Sequence, residues 1–186
     1  RIRNAYLYLE GLTFDKRALL EELPRPKFFN HENGVDWIVK NFDKENFKIL
    51  EIGAKEVVGS SVLKSKLINA TYIGSDIAPG SNVDIVCDAH ELSKFISNNS
   101  VDLIYSTSVF EHLYAPWLVA EEISKVLKIG GFVCIETAFN FKSHERPWNF
   151  FHISDLGLKA LFNDYLGFKT IDSGLDIPIR GRFSLL

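Results

Sequence analysis

Residues 47–60 read FKILEIGAKEVVGS, a compact apolar run that closes on a carboxylate and a glycine before the chain enters a loop and a helical pattern. Phe47, Ile49, Leu50 and Ile52 are too few for a helix and are bounded by a glycine, as a strand buried on both faces should be. Gly53 permits a sharp bend and lets a ligand approach the backbone. Glu51 is the informative residue. A dinucleotide would set its pyrophosphate at the N-terminus of the following helix, where a carboxylate repels it. A ligand bearing an ammonium group would instead be attracted.

The surrounding chain has 186 residues, 46% hydrophobic and 24% charged, enough for one globular domain with a real core and short for two. A net charge of −3 and a pI near 6.0 exclude a global attraction to nucleic acid or to an anionic membrane, leaving room only for a local basic patch. Cys87 and Cys134 both lie in apolar strand patterns, and neither has metal-ligand spacing to a neighbour. They read as reduced core thiols of a cytoplasmic protein, and no metal centre is expected. The sequence shows no apolar run of membrane-spanning length and no signal-peptide pattern. It begins at Arg1 rather than Met, so a fragment or a trimmed chain is expected.

Before the first strand, residues 1–12 leave strand, helix and extended arm open. Thr13 caps an expected helix over 14–23, which Pro24 and Pro26 end. A second amphipathic pattern over 34–42 puts Val35, Ile38, Val39 and Phe42 on one face. Beyond the glycine, helix and strand signals alternate: a helix over 60–68, strands over 71–77 and 83–87, and a short helix over 91–96. A strand over 101–106 and a helix over 117–127 follow, the latter stopped by Gly130 and Gly131, and then a strand over 132–137. Ser154 caps a helix over 155–165 that ends at Gly167, and 168–173 reads as a further strand. Such alternation predicts a parallel sheet with helices on both faces.

The pattern hydrophobic-Glu-hydrophobic-Gly, with Asp76 placed 23 residues after Gly53 at the end of TYIGSDI, resembles the class I S-adenosylmethionine-dependent methyltransferases, in particular their type 11 domain. VDIVCDAHEL (83–92), VDLIYSTSVFEHL (101–113) and EEISKVLKIGGFVCIET (121–137) follow in the family's order, so the likeness covers roughly residues 47–176. One departure stands out. Lys55 and Val57 occupy the places of the second and third glycines of the family's Gly-x-Gly-x-Gly, and Gly59 with Ser60 are expected to take over the close backbone approach.

The resemblance implies a Rossmann-like, doubly wound α/β fold with a mostly parallel seven-stranded sheet in the order 3-2-1-4-5-7-6. The antiparallel last strand would begin within 182–186 or lie beyond. Residues 1–46 would form an N-terminal helical segment and 47–186 the core; in this family such a segment either covers the cleft or packs on the sheet. S-adenosylmethionine is the implied cofactor and S-adenosylhomocysteine the product. Asp76 would accept hydrogen bonds from the ribose hydroxyls; the competing reading is an exposed turn aspartate. Asp88 with Ala89 would meet the adenine, or Asp88 simply caps the helix before His90. Glu51 would lie near the methionine ammonium, Gly53 would make the close turn, and Ser106 would line the methionine chain.

Glu111 and His112 match a Glu-His pair recurrent in this branch, with His112 either a base, an orienting group or a loop-bonded histidine. The connection over 138–152, AFNFKSHERPWNFFH, combines Lys142, His144, Glu145, Arg146 and His152 with five aromatics where the family builds its acceptor pocket. Stacking surfaces beside polar groups suit a sugar, a phenol or a heterocycle, while the plainer role of the aromatics is to cover the sheet. His144 and His152 are the candidate general bases. The leading expectation is methyl transfer to O or N of a small molecule, without nucleic-acid or membrane partners. A non-catalytic binding or scaffolding module is the alternative that Lys55 and Val57 favour. A nicotinamide-dependent oxidoreductase ranks last, because Gly-x-Gly-x-x-Gly is absent.

Overall fold

The computed structural model describes residues 26–27, 33–55, 63–139 and 143–175. Its centre is β1 (Lys48–Ile52), flanked by β2 (Thr71–Asp76) and β4 (Val101–Thr107). The short β3 (Ile85–Val86) joins β2, and β5 (Leu127–Glu136) joins β4, all in parallel, in the order β3-β2-β1-β4-β5. This is the expected order for the first five strands.

Alternation along β1 and β4 sorts the core into two layers. Ile49, Leu103 and Tyr105 face α1 (Gly34–Phe42), where Ile38 and Phe42 pack with them and with Leu63 of α2 (Leu63–Lys66). Leu50, Ile52 and Ile104 face the other way, toward Val119, Ile123 and Val126 of α3 (Pro116–Val126). Ile49 and Leu50 are both fully buried, which is why the KILEI run carries no polar alternation. Each such side chain contributes about 1.5–3 kcal/mol by leaving water. The amphipathic pattern over 34–42 thus packs on the sheet.

Asp43, the residue after α1, accepts hydrogen bonds from the backbone N–H groups of Ile68, Asn69 and Ala70, tying this helix to the turn that launches β2. Ser154 caps α4 (Asp155–Leu161) by accepting from the Gly157 N–H, as the sequence indicated, while Gly167 ends a separate 3-10 turn, Asp164–Leu166, in the left-handed region.

Three expectations need correction. Residues 89–94 form a 3-10 helix in place of an α-helix over 91–96, with non-helical backbone at Glu91. Gly130 and Gly131 do not stop a helix: α3 ends at Val126, and the glycines lie within β5. There a step of two residues in β4, from Val101 to Leu103, is matched by five in β5, from Leu127 to Phe132. The excess bulges outward, with Gly130 at φ +81° and Gly131 so close to the Asp102 carbonyl that a Cβ would stand 2.9 Å from it. Finally, the expected helix over 155–165 stops at Leu161, where Phe162 leaves helical geometry before the 3-10 turn Asp164–Leu166. Residues 168–173 carry no ladder among the described residues, and the segment expected to pair with them lies outside these. In the expected order a sixth strand pairs with the seventh, and the residues assigned to that one, 182–186, lie outside the described residues, as do the expected helix over 14–23, residues 60–62 of the first crossover, and Val57, Gly59 and Ser60. Among the described residues no helix is long and apolar enough to cross a membrane.

Candidate active site

Parallel pairing brings the carboxyl ends of all five strands to one edge, and the polar residues singled out above cluster there. At the end of β1 the chain turns at Gly53, whose φ is +81° and whose N–H donates to the Ser75 carbonyl at 2.8 Å. A Cβ on Gly53 would lie 2.1 Å from Cγ2 of Val109, so the turn also abuts the segment after β4. Two residues on, the Lys55 N–H donates to Oδ2 of Asp76 at 3.1 Å, and the Lys55 stem lies over Gly80. The other oxygen of Asp76 accepts from the Ala78 N–H at 3.0 Å. Each carboxylate oxygen has a second lone pair, so this half-buried side chain braces the loop while keeping acceptor capacity.

Asp88 ends the next strand connection. It caps the 3-10 helix that starts at Ala89, accepting from the His90 backbone N–H at 2.9 Å and approaching the ring Nδ1 at 2.6 Å. Burial pushes its pKa up, but the His90 backbone and ring hydrogen bonds outweigh this and hold it below the ordinary 3.8. The His90 side chain is 6% exposed and stacks on Tyr114, with ring centroids 4.0 Å apart. Its Nε2 is buried and has no hydrogen-bond partner among the described residues.

Glu51 and Ser106 are more deeply placed than the sequence suggested. Glu51 is 1% exposed and accepts from the Tyr72 hydroxyl at 2.7 Å on the face it shares with Ile49. Burial, then the charges of Glu51 and Glu136, raise the pKa of the neighbouring Tyr105 hydroxyl, which therefore stays protonated. Ser106 is fully buried and donates to the Ile52 carbonyl at 3.0 Å, pinning β4 to β1 just before the glycine turn.

A second polar group forms where β4 and β5 end. Glu111, 1% exposed, accepts from the Thr137 hydroxyl at 2.7 Å, and its backbone carbonyl receives the N–H groups of Phe150 and Phe151. The long connection is thereby laid over the 3-10 turn Phe110–His112. His112 Nδ1 lies 3.1 Å from the Trp148 carbonyl, its Nε2 lies 3.7 Å from Glu145, and its ring meets that of His144 edge-on at 4.8 Å. His152 is exposed and stands outside the Glu111, His112 and His144 grouping. Phe139, Trp148 and Phe150 are exposed on this connection, whereas Phe151 packs against Trp117; Phe141 and Lys142 lie outside the described residues. Reading the sequence missed Tyr72, His90 and Thr137, whose partners are set by strand register and by loop placement. The i, i+2 spacing of Asp88 and His90 was the one local signal available.

Residues 50–135 match a family model described as a methyltransferase domain. No curated protein sequence matches the chain significantly. Among solved structures, a SAM-dependent methyltransferase from Archaeoglobus fulgidus is 20% identical with a TM-score of 0.55, over 74% of this chain and 69% of its own. Phosphoethanolamine N-methyltransferase 2 of Haemonchus contortus, in complex with S-adenosyl-L-methionine, is 18% identical with a TM-score of 0.54, over 73% of this chain and 36% of its own. A Haloferax volcanii complex of the Trm112 methyltransferase activator with a methyltransferase is 21% identical with a TM-score of 0.51, over 69% and 66%. The chain therefore spans only about a third of the nematode protein's length and just under two thirds of the haloarchaeal one. At these identities the likeness is one of fold.

Proposed function

We propose that this chain, whose residues 50–135 match a family model described as a methyltransferase domain, is a class I, S-adenosylmethionine-dependent enzyme that transfers a methyl group to O or N of a small-molecule acceptor. The residues at this edge of the sheet fit the cofactor. Gly53 leaves a cradle against Val109 that a Cβ would fill, Asp76 retains free lone pairs at the end of β2, and Asp88 is held ionised at the end of the β3 connection. Asp76 would take the ribose hydroxyls and Asp88 with Ala89 the adenine. Glu51 adds a buried negative charge behind Gly53 toward the ammonium, and Ser106 acts by fixing the turn rather than by direct contact.

The bound cofactor supplies an activated methyl group on a sulfonium. This leaves the protein to orient the acceptor and to exclude water, and positioning of that kind is worth roughly 7–11 kcal/mol. Exposed Phe139, Trp148 and Phe150 offer stacking surface for a ring, which favours a sugar, phenol or heterocycle. His112 and His144 group with Glu111, two residues along the chain from Val109, whose side chain abuts the glycine turn. They are the groups that activate the acceptor, and His152, exposed nearby in sequence, is the third candidate.

The observation that carries this reading is the Lys55 N–H bond to Asp76. It couples the ribose-binding carboxylate to the glycine turn, although Lys55 stands where the family has glycine. Calorimetric titration with S-adenosylmethionine and S-adenosylhomocysteine tests it. Micromolar binding is expected; a folded protein that binds neither would overturn the enzyme reading in favour of a scaffolding module. Single substitution of His112, His144 and His152 should then lower turnover at preserved cofactor affinity for whichever activates the acceptor. Full turnover in all three would remove them from that role.

A further inference from the structure

Glu111, His112 and His144 bring one carboxylate oxygen and two imidazole nitrogens within 4.8 Å of one another. Ligands of one ion, each about 2.0–2.2 Å from it, stand roughly 3–4 Å apart, so the donors here are within roughly an ångström of a coordinating spacing. The preparation of His112 and Glu111 points the same way. The Trp148 carbonyl only accepts, so His112 Nδ1, 3.1 Å away, carries the proton and Nε2 presents its lone pair. Donation of the remote ring nitrogen to a backbone carbonyl is the arrangement that orients a metal-binding histidine.

Glu111 supplies a buried oxygen donor. It is 1% exposed, Thr137 holds one of its oxygens, and no Lys or Arg side chain pairs with it among the described residues. A carboxylate withdrawn from water in this way is stabilised by a cation set against its other oxygen. Glu145, exposed and 3.7 Å from His112 Nε2, adds a second carboxylate at the mouth. Asn149, between the residues whose backbones bond His112 and Glu111, buries an amide nitrogen that has no partner among the described residues.

We propose that Glu111, His112 and His144 bind a divalent transition-metal cation of the zinc class. Two imidazoles with a carboxylate suit zinc, cobalt, iron(II) or manganese better than calcium or magnesium, which take oxygen ligands. Three protein donors leave coordination positions for water or for oxygen atoms of an acceptor. The metal site rests on the geometry of the cluster alone; its use in holding the acceptor rests on the methyltransferase reading. Cysteine and histidine spacing in the sequence did not reveal it, because His144 follows His112 by 32 residues and the connection must fold back to meet it.

The test is equilibrium dialysis of the chelator-stripped chain against zinc, paired with cobalt(II) titration followed by visible absorption. One equivalent of metal per chain is expected, with ligand-field bands appearing on cobalt addition. His112→Ala and His144→Ala should each weaken binding by more than about tenfold, the loss that removing even a supporting partner of a ligand brings. Circular dichroism and S-adenosylhomocysteine affinity should be unchanged in both variants. Should Glu111→Gln fail to fold, the two histidine variants carry the test. A folded wild-type chain without stoichiometric metal, or equal affinity in both histidine variants, would overturn the site. Loss of S-adenosylhomocysteine binding by the wild type would instead count against the methyltransferase reading and leave the metal result standing.

Discussion

Gly53 answers two demands at once: a backbone at φ +81° and contact with Val109 at a distance no side chain survives. Left-handed backbone alone costs a non-glycine residue about 1–2 kcal/mol, and the clash adds to it. Gly53→Ala should therefore lower the urea midpoint and weaken cofactor binding together; an unchanged midpoint would show that the turn tolerates a side chain. For Asp76→Ala the expected outcome differs: the fold persists by circular dichroism while calorimetry shows cofactor affinity reduced more than tenfold, since the carboxylate holds the loop at Lys55 and Ala78 and keeps acceptor capacity for the proposed ribose contact. Unchanged affinity would remove Asp76 from the site. The thiols give a third residue-scale expectation. Burial pushes the Cys134 pKa up to about 12, and burial with the charges of Asp88 and Asp76 raises that of Cys87. Both should react with a disulfide reagent only once the chain is unfolded, and rapid reaction of either in the native state would contradict its burial. The places of Gly53 at the turn after β1 and of Asp76 at the end of β2 were legible in the sequence, the first from the apolar run that the glycine closes and the second through the resemblance. The bond from Tyr72 to Glu51 was not, because it depends on a register that pairs Glu51 with Gly74 and leaves Tyr72 two residues back on the same face.

Elements were legible where one periodicity ruled and obscure where two signals competed. The helix over 34–42 has a clean apolar face and appears with the bounds read from it, and β1 follows from a short apolar run broken only by Glu51. Gly130 and Gly131 read equally as a helix stop or a strand bulge. The bulge prevails because Lys128 turns to Asp102 at 2.8 Å while Phe132 regains the ladder beside Leu103. The connection after β5 was marked as unusual by composition, yet its path comes from the Phe150 and Phe151 amides reaching the Glu111 carbonyl, a contact no local pattern encodes. At this scale Ser154→Ala offers a direct check. It removes the acceptor for the Gly157 N–H and should cost about 1 kcal/mol by chemical denaturation. A change below a few tenths would mean that α4 is held by packing alone.

For the whole molecule, acid stability follows from carboxylates distributed over the fold. Asp43 receives the backbone of the turn before β2, Asp88 caps the 3-10 helix, Asp102 holds Lys128 and the Lys48 N–H, and Glu122 holds Lys125 and the Ser93 N–H. In each case burial acts to raise the pKa and is outweighed by these hydrogen bonds, leaving the value below the ordinary 3.8 of Asp or 4.5 of Glu. A depressed folded-state value means that the unfolded chain takes up protons first as the pH falls. The stabilisation is therefore complete above the unfolded values and drains away as the pH drops through them toward the folded ones. Denaturant midpoints should be level from neutrality to about pH 5 and decline steeply below about pH 4. Asp43→Asn and Asp102→Asn should each lower the neutral-pH midpoint and flatten the acid decline, because each removes one group whose protonation drives it. A midpoint that rose between pH 5 and pH 3, or an acid limb unaltered in both variants, would show that these hydrogen bonds do not hold the carboxylates ionised.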